Sequence, residues 1–260
     1  MCGRYFSDMG GDVMTLEEAI NARRSRRKYL GTPIEPSITD KLRELATEYS
    51  LGANLRIELV FNDGKAFNGF AMNYGLFSGV NDYIGLISDK NDLNNNERLG
   101  YYGELLILHS TAMGLGSCWV GGTFSRSLCP FPMTESEALV CAITIGNVAE
   151  SLSFKERFIR NMTHRKTKAV DEMFEADAPV PDWFLRGMAS VQKAPSAINR
   201  QPVAFSYNDG VVSASVKDSS DPALALDFGI AKLHFEIGAG GGEWSWGNNG
   251  GFAQCQTHEG

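Results

Sequence analysis

An arginine-rich segment near the start of the chain is the first candidate for chemistry. It reads ARRSRRKY over residues 22–29, and it places four arginines and one serine within a turn or two of helix. Guanidinium groups and a serine hydroxyl are good donors to a phosphate monoester. On charge alone, a solvated basic face or cations that complement the carboxyl end of a helix explain the segment equally well.

A second polar segment lies late in the chain and reads KAPSAINRQPVAF over residues 193–205. Ser196 is followed by Asn199 and Gln201, whose side-chain amides can donate and accept hydrogen bonds at once. Such groups suit the edge of a flat ring with alternating N–H and C=O groups, such as the pyrimidine of a flavin. The alternative is a structural Asn/Pro turn before a strand.

Hydrophobic periodicity predicts the elements that must position these two segments. Thr15 and Glu18 form a capping box at the start of the first helix. The predicted helices cover 15–25, 36–50, 97–116, 182–193 and 223–243, and the basic segment 163–174 becomes helical. The predicted strands are 55–64, 82–89 and 138–147, followed by a hairpin at 203–218.

Two parts of the sequence repeat the same succession of features. LVFNDG (59–64) precedes an apolar helix, a glycine cluster, a tryptophan and a Gly-Gly-aromatic sequence, and FSYNDG (205–210) precedes the same series. Chance is the alternative, because glycine after a helix is common and Asn-Asp-Gly is a general turn. Five features in one order favour a duplication, which predicts two pseudo-symmetric halves, like a homodimer fused into one chain.

Composition and charge exclude several classes of protein. The 260 residues carry a net charge of −7, with a pI of about 5.2, which argues against bulk nucleic-acid binding. The five scattered cysteines predict reduced thiols, and the dispersed histidines predict no metal site. No apolar run reaches the ~20 residues of a membrane span, and residues 1–13 resemble a loose, disordered leader more than a signal peptide. We expect a cytoplasmic protein.

Together, the two polar segments resemble motifs of the FMN-dependent nitroreductase family. The family opens with R-R-S-x-R-x-aromatic, which here covers residues 23–29, and it carries A-P-S-x-x-N-x-Q-P, which here covers 194–202. A third motif, G-L-G-x-x-W-x-G, covers 114–121, and a fourth is a strand that ends in Gly146 and precedes a basic Arg165-Lys166 pair. The resemblance covers most of residues 15–252. It implies an α+β, nitroreductase-like fold, here duplicated into a pseudo-dimer of two helix-wrapped mixed or antiparallel sheets.

The position of the A-P-S loop departs from the family pattern. Family members carry it soon after the arginine motif, where this chain instead has SLGANLRIELVF without the Pro, Ser and Gln. In family homodimers one subunit supplies the arginines and the other the loop. The resemblance is therefore to a branch with two fused halves, with a first half at 14–172 and a second at 173–260. One chain then builds one site as a monomer or a weak dimer.

The family pattern assigns each candidate residue a role. FMN phosphate contacts fall on Arg23, Ser25, Arg27, Arg165 and, as a weaker candidate, Lys166. Arg24 faces the flavin ring, and the backbone near its N5 edge comes from Val120, Gly121 and Gly122. The late loop lines the ring through Pro195, Ser196, Ala197, Asn199 and Gln201. Trp119 borders the acceptor pocket or lies in the core behind the flavin.

The resemblance implies an NAD(P)H-dependent oxidoreductase in which the flavin carries the chemistry. Hydride passes from NAD(P)H through flavin N5 to an electron-poor small molecule of nitroaromatic or quinone type, and no protein residue acts as a catalytic acid. A non-catalytic flavin-binding or regulatory module is the alternative. A remote alternative is a protein that binds abasic DNA through Cys2, because MCGRY resembles the start of such a domain, although its other segments are absent.

Overall fold

The computed structural model describes residues 14–67, 76–92, 94–154, 156–158 and 167–255. The chain divides into two compact units. We call them the four-stranded unit and the five-stranded unit after their sheets. The four-stranded unit takes its described residues from Ala22–Asn95 and Leu105–Thr163. The five-stranded unit takes its described residues from Met1–Asn21, Asn96–Glu104 and His164–Gly260.

The four-stranded unit contains an antiparallel sheet. Its strands are β1 (Arg56–Val60), β2 (Asp82–Asp89), β3 (Gly116–Val120) and β4 (Glu137–Gly146). They lie in the order β1-β2-β4-β3, and each neighbouring pair is antiparallel. Helix α2 (Pro36–Ala53) packs on β1 and buries Leu42, Leu45 and Ala46, which belong to the predicted apolar stripe.

The five-stranded unit contains a mixed sheet. Its strands are β5 (Phe174–Ala176), β6 (Ala204–Asn208), β7 (Val211–Ser215), β8 (Gly242–Trp244) and β9 (Gly250–Gln254). They lie in the order β5-β6-β7-β9-β8, and β5 alone is parallel to its neighbour. Helices α4 (Asp182–Val191) and α5 (Pro222–Gly238) pack together over an aromatic core that includes Phe184, Phe235 and Trp244.

The two sheets repeat one topology. In the first, α2 precedes β1 and β2, and helix α3 (Asn95–Ala112) lies between β2 and β3. In the second, α4 precedes β6 and β7, and α5 lies between β7 and β8. The strand orders β1-β2-β4-β3 and β6-β7-β9-β8 correspond strand for strand. This correspondence supports the predicted duplication and explains the similar succession of sequence features.

Within the five-stranded unit, the first part of α3 crosses α5 at very short range. A methyl group on Gly100 would overlap the backbone of Leu226, and one on Gly229 would overlap the carbonyl oxygen of Glu97. Glycine is needed at both positions because the two helices approach closely, and not because the backbone has an unusual φ angle. Residue 100 lies as many positions before Gly114, which follows α3, as residue 226 lies before Gly240, which follows α5. The two positions are therefore equivalent in the repeat. The contact thus joins equivalent positions, as in a two-fold interface.

Most predicted elements are confirmed, but their ends shift. The capping box forms, with Thr15 N donating to Glu18 over 2.8 Å, and helix α1 (Leu16–Ala22) follows. The predictions for α3 and α5 extended too far at the carboxyl end, because the glycine-rich sequences that end these helices lead directly into β3 and β8. The prediction of a helix reaching residue 174 is wrong, since residues 170–172 form a short 3₁₀ turn and Phe174 begins β5.

Two expectations about the chain as a whole can be compared with the described residues. No helix among them is both long and apolar enough to cross a membrane. Cys118, Cys129 and Cys141 are free, as the sequence predicts, whereas Cys255 is disulfide-bonded, so the prediction of uniformly reduced thiols is wrong at that position. The predicted leader at 1–13, including Cys2, lies outside the described residues.

Candidate functional site

The arginine motif is an extended segment beside the edge strand of the four-stranded sheet. Ser25 forms a parallel β-bridge with Ser117 of β3, and Arg26 N donates to the Ser117 carbonyl over 2.8 Å. Farther along, Lys28 bridges to Ser78 in the same way. The predicted helical turn is therefore absent after Ala22, and the motif extends the sheet instead.

Because the segment is extended, neighbouring arginine side chains lie on opposite sides of it and have different roles. Arg26 is buried, and its guanidinium binds Glu156 and the carbonyl oxygens of Ala149 and Ser151. Ser25 and Arg27 lie on the opposite side of the segment and are half-buried. Among the described residues no carboxylate pairs with the Arg27 guanidinium. Arg26 therefore anchors the segment, and Arg27 presents its charge beside β3.

Arg23 and Arg24 complete the basic segment. Burial raises the pKa of the Cys118 thiol in β3, and the charges of Arg27 and Arg23 act in the opposite direction. Both guanidinium groups therefore lie near enough to Cys118 for their charges to act on its thiol. Arg24 is exposed, and its guanidinium donates to the carbonyl of Arg23 over 2.7 Å.

Glu156 holds the backbone of the basic segment and was not a predicted site residue. One carboxylate oxygen accepts from Arg27 N over 2.8 Å and from Lys28 N over 3.2 Å, while the other accepts from Ser153. Burial alone would raise the pKa of Glu156, but these donors outweigh it and lower the pKa to about 2. The sequence signal was a capping box, Ser153 to Glu156, which predicts a helix start but none of these long-range contacts.

The end of β3 leads into an exposed glycine pair. Trp119 and Val120 are the last residues of β3, opposite Ile143 and Ala142 of β4. Gly121 and Gly122 follow, and a methyl group on either would meet no atom of the described residues within 4 Å. Their backbone is thus open to a flat ligand. Arg126 restrains this turn by donating to the Gly121 carbonyl over 2.6 Å.

The late loop belongs to the five-stranded unit and folds into a tight turn between α4 and β6. The hydroxyl of Ser196 accepts from Gln201 N over 2.9 Å, so this side chain shapes the loop itself. The side chain of Gln201 is buried, where it accepts from Lys168 N and contacts the Met173 sulfur. Ala197 is exposed, and Pro195 and Asn199 are half-buried.

The structure therefore brings Arg23, Ser25 and Arg27 together beside β3 in one unit, and it groups the 195–201 residues in the other. Arg165 and Lys166 lie outside the described residues. Asp227 was not predicted, although both its carboxylate oxygens accept from Ala197 N at 3.1 Å. No local sequence pattern marks this contact, because Asp227 lies in the middle of a largely apolar helix.

Comparison with known proteins decides the family. A family model described as "Putative TM nitroreductase" matches residues 15–239. The chain belongs to this nitroreductase family. This membership supports an oxidoreductase and confirms the resemblance that the sequence motifs indicated. No curated protein matches the chain.

A solved structure shows the same fold, and two others are similar over part of this chain. A putative nitroreductase from Thermotoga maritima is 19% identical over 95% of this nitroreductase and 96% of its own chain, with a TM-score of 0.64. A nitroreductase family protein from Clostridium difficile is 18% identical over 57% of this chain and 92% of its own, with a TM-score of 0.44. An FMN-dependent nitroreductase from C. difficile is 20% identical over 57% and 97%, with a TM-score of 0.43. The T. maritima likeness extends over both sheets.

Proposed function

We propose that this nitroreductase-family chain is an FMN-dependent oxidoreductase. Its hydride donor would be NAD(P)H, and its acceptor an electron-poor small molecule of nitroaromatic or quinone type. The observation that carries the proposal is the basic extended segment, which lies beside β3 and is held in place by the buried Arg26–Glu156 pair. Arg27, which pairs with no carboxylate among the described residues, and Ser25 are suitable donors for a phosphate group.

The residues present fit a flavin mononucleotide at both ends. For the phosphate, Arg23, Ser25 and Arg27 supply two guanidinium groups and a hydroxyl at the edge of one sheet. For the ring, the open backbone of Gly121 and Gly122 leaves room for a flat ligand close to the main chain. We also assign contacts with the flavin ring to residues of the tight 195–201 loop.

FMN, when bound, would supply hydride acceptance and donation at its N5 atom. The chain's own groups bind and orient. The guanidinium groups would fix the phosphate, and backbone N–H groups at the end of β3 would stabilise negative charge on the ring. Trp119 would border the acceptor, and Arg24, Arg165 and Lys166 are further candidates for cofactor contacts. No side-chain acid is assigned to the hydride step.

The proposal can be tested with the purified full-length chain. We expect a yellow protein, or an apoprotein that binds added FMN, whose flavin absorbance is bleached by NADH or NADPH under anaerobic conditions. Bleached protein should recover its colour when a quinone or nitroaromatic is added. A chain that binds no FMN would refute the proposal, and a bound flavin that neither nucleotide reduces would instead indicate a binding or regulatory module.

Arg27 provides a specific test of the phosphate assignment. Arg27→Ala should weaken FMN binding by about tenfold or more, because it removes a charge-assisted hydrogen-bond donor worth roughly 1.5–3 kcal/mol. Riboflavin, which lacks the phosphate, should be affected much less. Arg43→Ala is the matched control, since Arg43 is an exposed arginine on α2 that pairs with Asp40. Equal losses of FMN and riboflavin affinity in Arg27→Ala would contradict the assignment.

A further inference from the structure

The 195–201 loop has an unusual backbone. Ile198, Asn199 and Gln201 have φ angles of 48°, 53° and 47°, all in the left-handed region. Asparagine tolerates this region, but a β-branched isoleucine rarely adopts it. Ile198 is also half exposed, so core packing does not impose its conformation. Such a strained turn persists only when its surroundings hold it.

Two groups hold the far end of the turn. The Ser196 hydroxyl accepts from Gln201 N over 2.9 Å. Lys168 donates from its backbone to the Gln201 side chain and from Nζ to the Gln201 carbonyl, each over 2.9 Å. Both restraints act at Gln201. At the start of the turn, Asn199 N donates to the Ser196 carbonyl over 3.0 Å and Arg200 N donates to the Ala197 carbonyl over 3.2 Å.

Asp227 of α5 holds the near end. Its two carboxylate oxygens each lie 3.1 Å from Ala197 N, directly before the left-handed residues. The residue is 6% exposed, and burial raises the pKa of Asp227 to about 7. The Ala197 N–H and the charge of Arg200 oppose this rise, whereas Asp221 adds to it. Its other neighbours around the loop, which include Met173, Val191 and Ala231, are uncharged.

A buried carboxylate with a raised pKa weakens the fold, because the charged form has lost its hydration. A helix interior that needed only stability would carry an apolar or amide residue at this position. The contact that the carboxylate does make is to the strained loop. This combination indicates a role in shaping the loop and not in stabilising the unit.

We propose that Asp227 is a positioning residue whose carboxylate, through its bonds to Ala197 N, locks the strained 197–201 turn in its cofactor-binding conformation. The inference rests on the proposed function. Ionisation strengthens the bond to Ala197 N, because hydrogen bonds to a charged acceptor are about twice as strong as neutral ones.

The lock can be measured without cofactor. Hydrogen exchange of the Ala197 amide at pH 8, corrected for the intrinsic rate, should be several-fold slower in the wild-type chain than in Asp227→Ala. Asp227→Asn keeps one neutral acceptor and should show intermediate protection. Asp227→Ala should lose most of the protection. Glu236→Gln is the matched control, because Glu236 is equally buried on α5, with a pKa also raised to about 7, but binds Tyr101.

FMN titrations at pH 8 complete the experiment. Asp227→Ala should weaken FMN binding at pH 8 by about tenfold, the loss expected for one charge-assisted bond, while Glu236→Gln retains wild-type affinity. The unfolding midpoint of apo Asp227→Asn at pH 8 should not fall, since a desolvated charge is removed. Unchanged exchange and affinity in Asp227→Asn, or a midpoint that falls in parallel with affinity, would overturn the lock. A wild-type chain that binds no FMN would overturn the proposed function, and the exchange data would still decide the lock.

Discussion

His109 on α3 predicts an acid-sensitive fold. It is 7% exposed, its ring stacks on Tyr49 with centroids 6.5 Å apart, and neither ring nitrogen has a hydrogen-bond partner among the described residues. Burial, and secondarily the charge of Lys41, lower the pKa of His109 to about 4 from an ordinary 6.5. All three residues belong to the four-stranded unit. Protonation therefore places an uncompensated charge in that unit.

The size of the effect follows from the two pKa values. Because the folded-state pKa is depressed, the unfolded chain binds the proton first, and stability falls as the pH drops from about 6.5 toward 4. The full shift corresponds to about 3 kcal/mol at 1.36 kcal/mol per pKa unit. At pH 5 the folded state has lost roughly 2 kcal/mol of stability, compared with a few tenths of a kcal/mol at pH 7.

His109→Phe isolates this contribution, since it keeps a ring against Tyr49 and removes both nitrogens. Free energies of unfolding in urea would be measured for the variant and the wild type at pH 7 and pH 5. The variant should gain about 2 kcal/mol relative to the wild type on acidification. Asp227 and Glu236 have raised pKa values and act in the opposite direction, but they contribute equally to both proteins and cancel. A variant-minus-wild-type difference that is the same at both pH values would refute the reasoning.

Two further substitutions test the packing of the five-stranded unit. Gly229→Ala should destabilise it by more than ~3 kcal/mol in chemical denaturation, because the new methyl group overlaps the Glu97 carbonyl, whereas Gly52→Ala on exposed α2 has open space and should gain about 0.5–1 kcal/mol. Equal effects would exclude a tight crossing. Lys232→Met should cost about 3–5 kcal/mol, since the buried Lys232 ammonium is paired with Glu97 and also binds the carbonyls of Ser245 and Gly247. A loss under ~1 kcal/mol would show that this ion pair is dispensable.

The sequence predicts the helices and long strands well because each carries its own pattern. The stripe of α2, the alternation of β1 and the Asp209-Gly210 turn between β6 and β7 are local signals, and both turn residues have the positive φ that the turn demands. The short strands β3 and β8 carry no such signal, because each follows directly on a glycine-rich helix end. At β5, pairing with β6 overrides the helical tendency of the preceding segment.

The candidate site, too, was predicted only in part from the sequence. The resemblance to the family motif made Arg23, Ser25 and Arg27 candidates, and the structure places all three on one segment beside β3. Their extended conformation was not predicted, since it comes from the edge of β3. Glu156 and Asp227 were missed because they lie 129 and 30 residues from the backbone N–H groups they bind. Tertiary structure brings these residues to the backbone groups they bind, and a local pattern such as the Ser153 to Glu156 capping box does not show those long-range contacts.

Because α3 and α5 cross at glycines within one chain, their pairing responds differently to dilution and to substitution than the pairing of two separate chains would. Helices that meet between separate chains come apart as concentration falls, whereas two helices on one polypeptide meet at an effective concentration in the millimolar range or above. Their pairing therefore does not depend on how much protein is present. In a symmetric dimer, any substitution on such a helix alters both sides of the contact together. Here Gly100 and Leu226 occupy equivalent positions as different residues, so each side of the crossing can change alone.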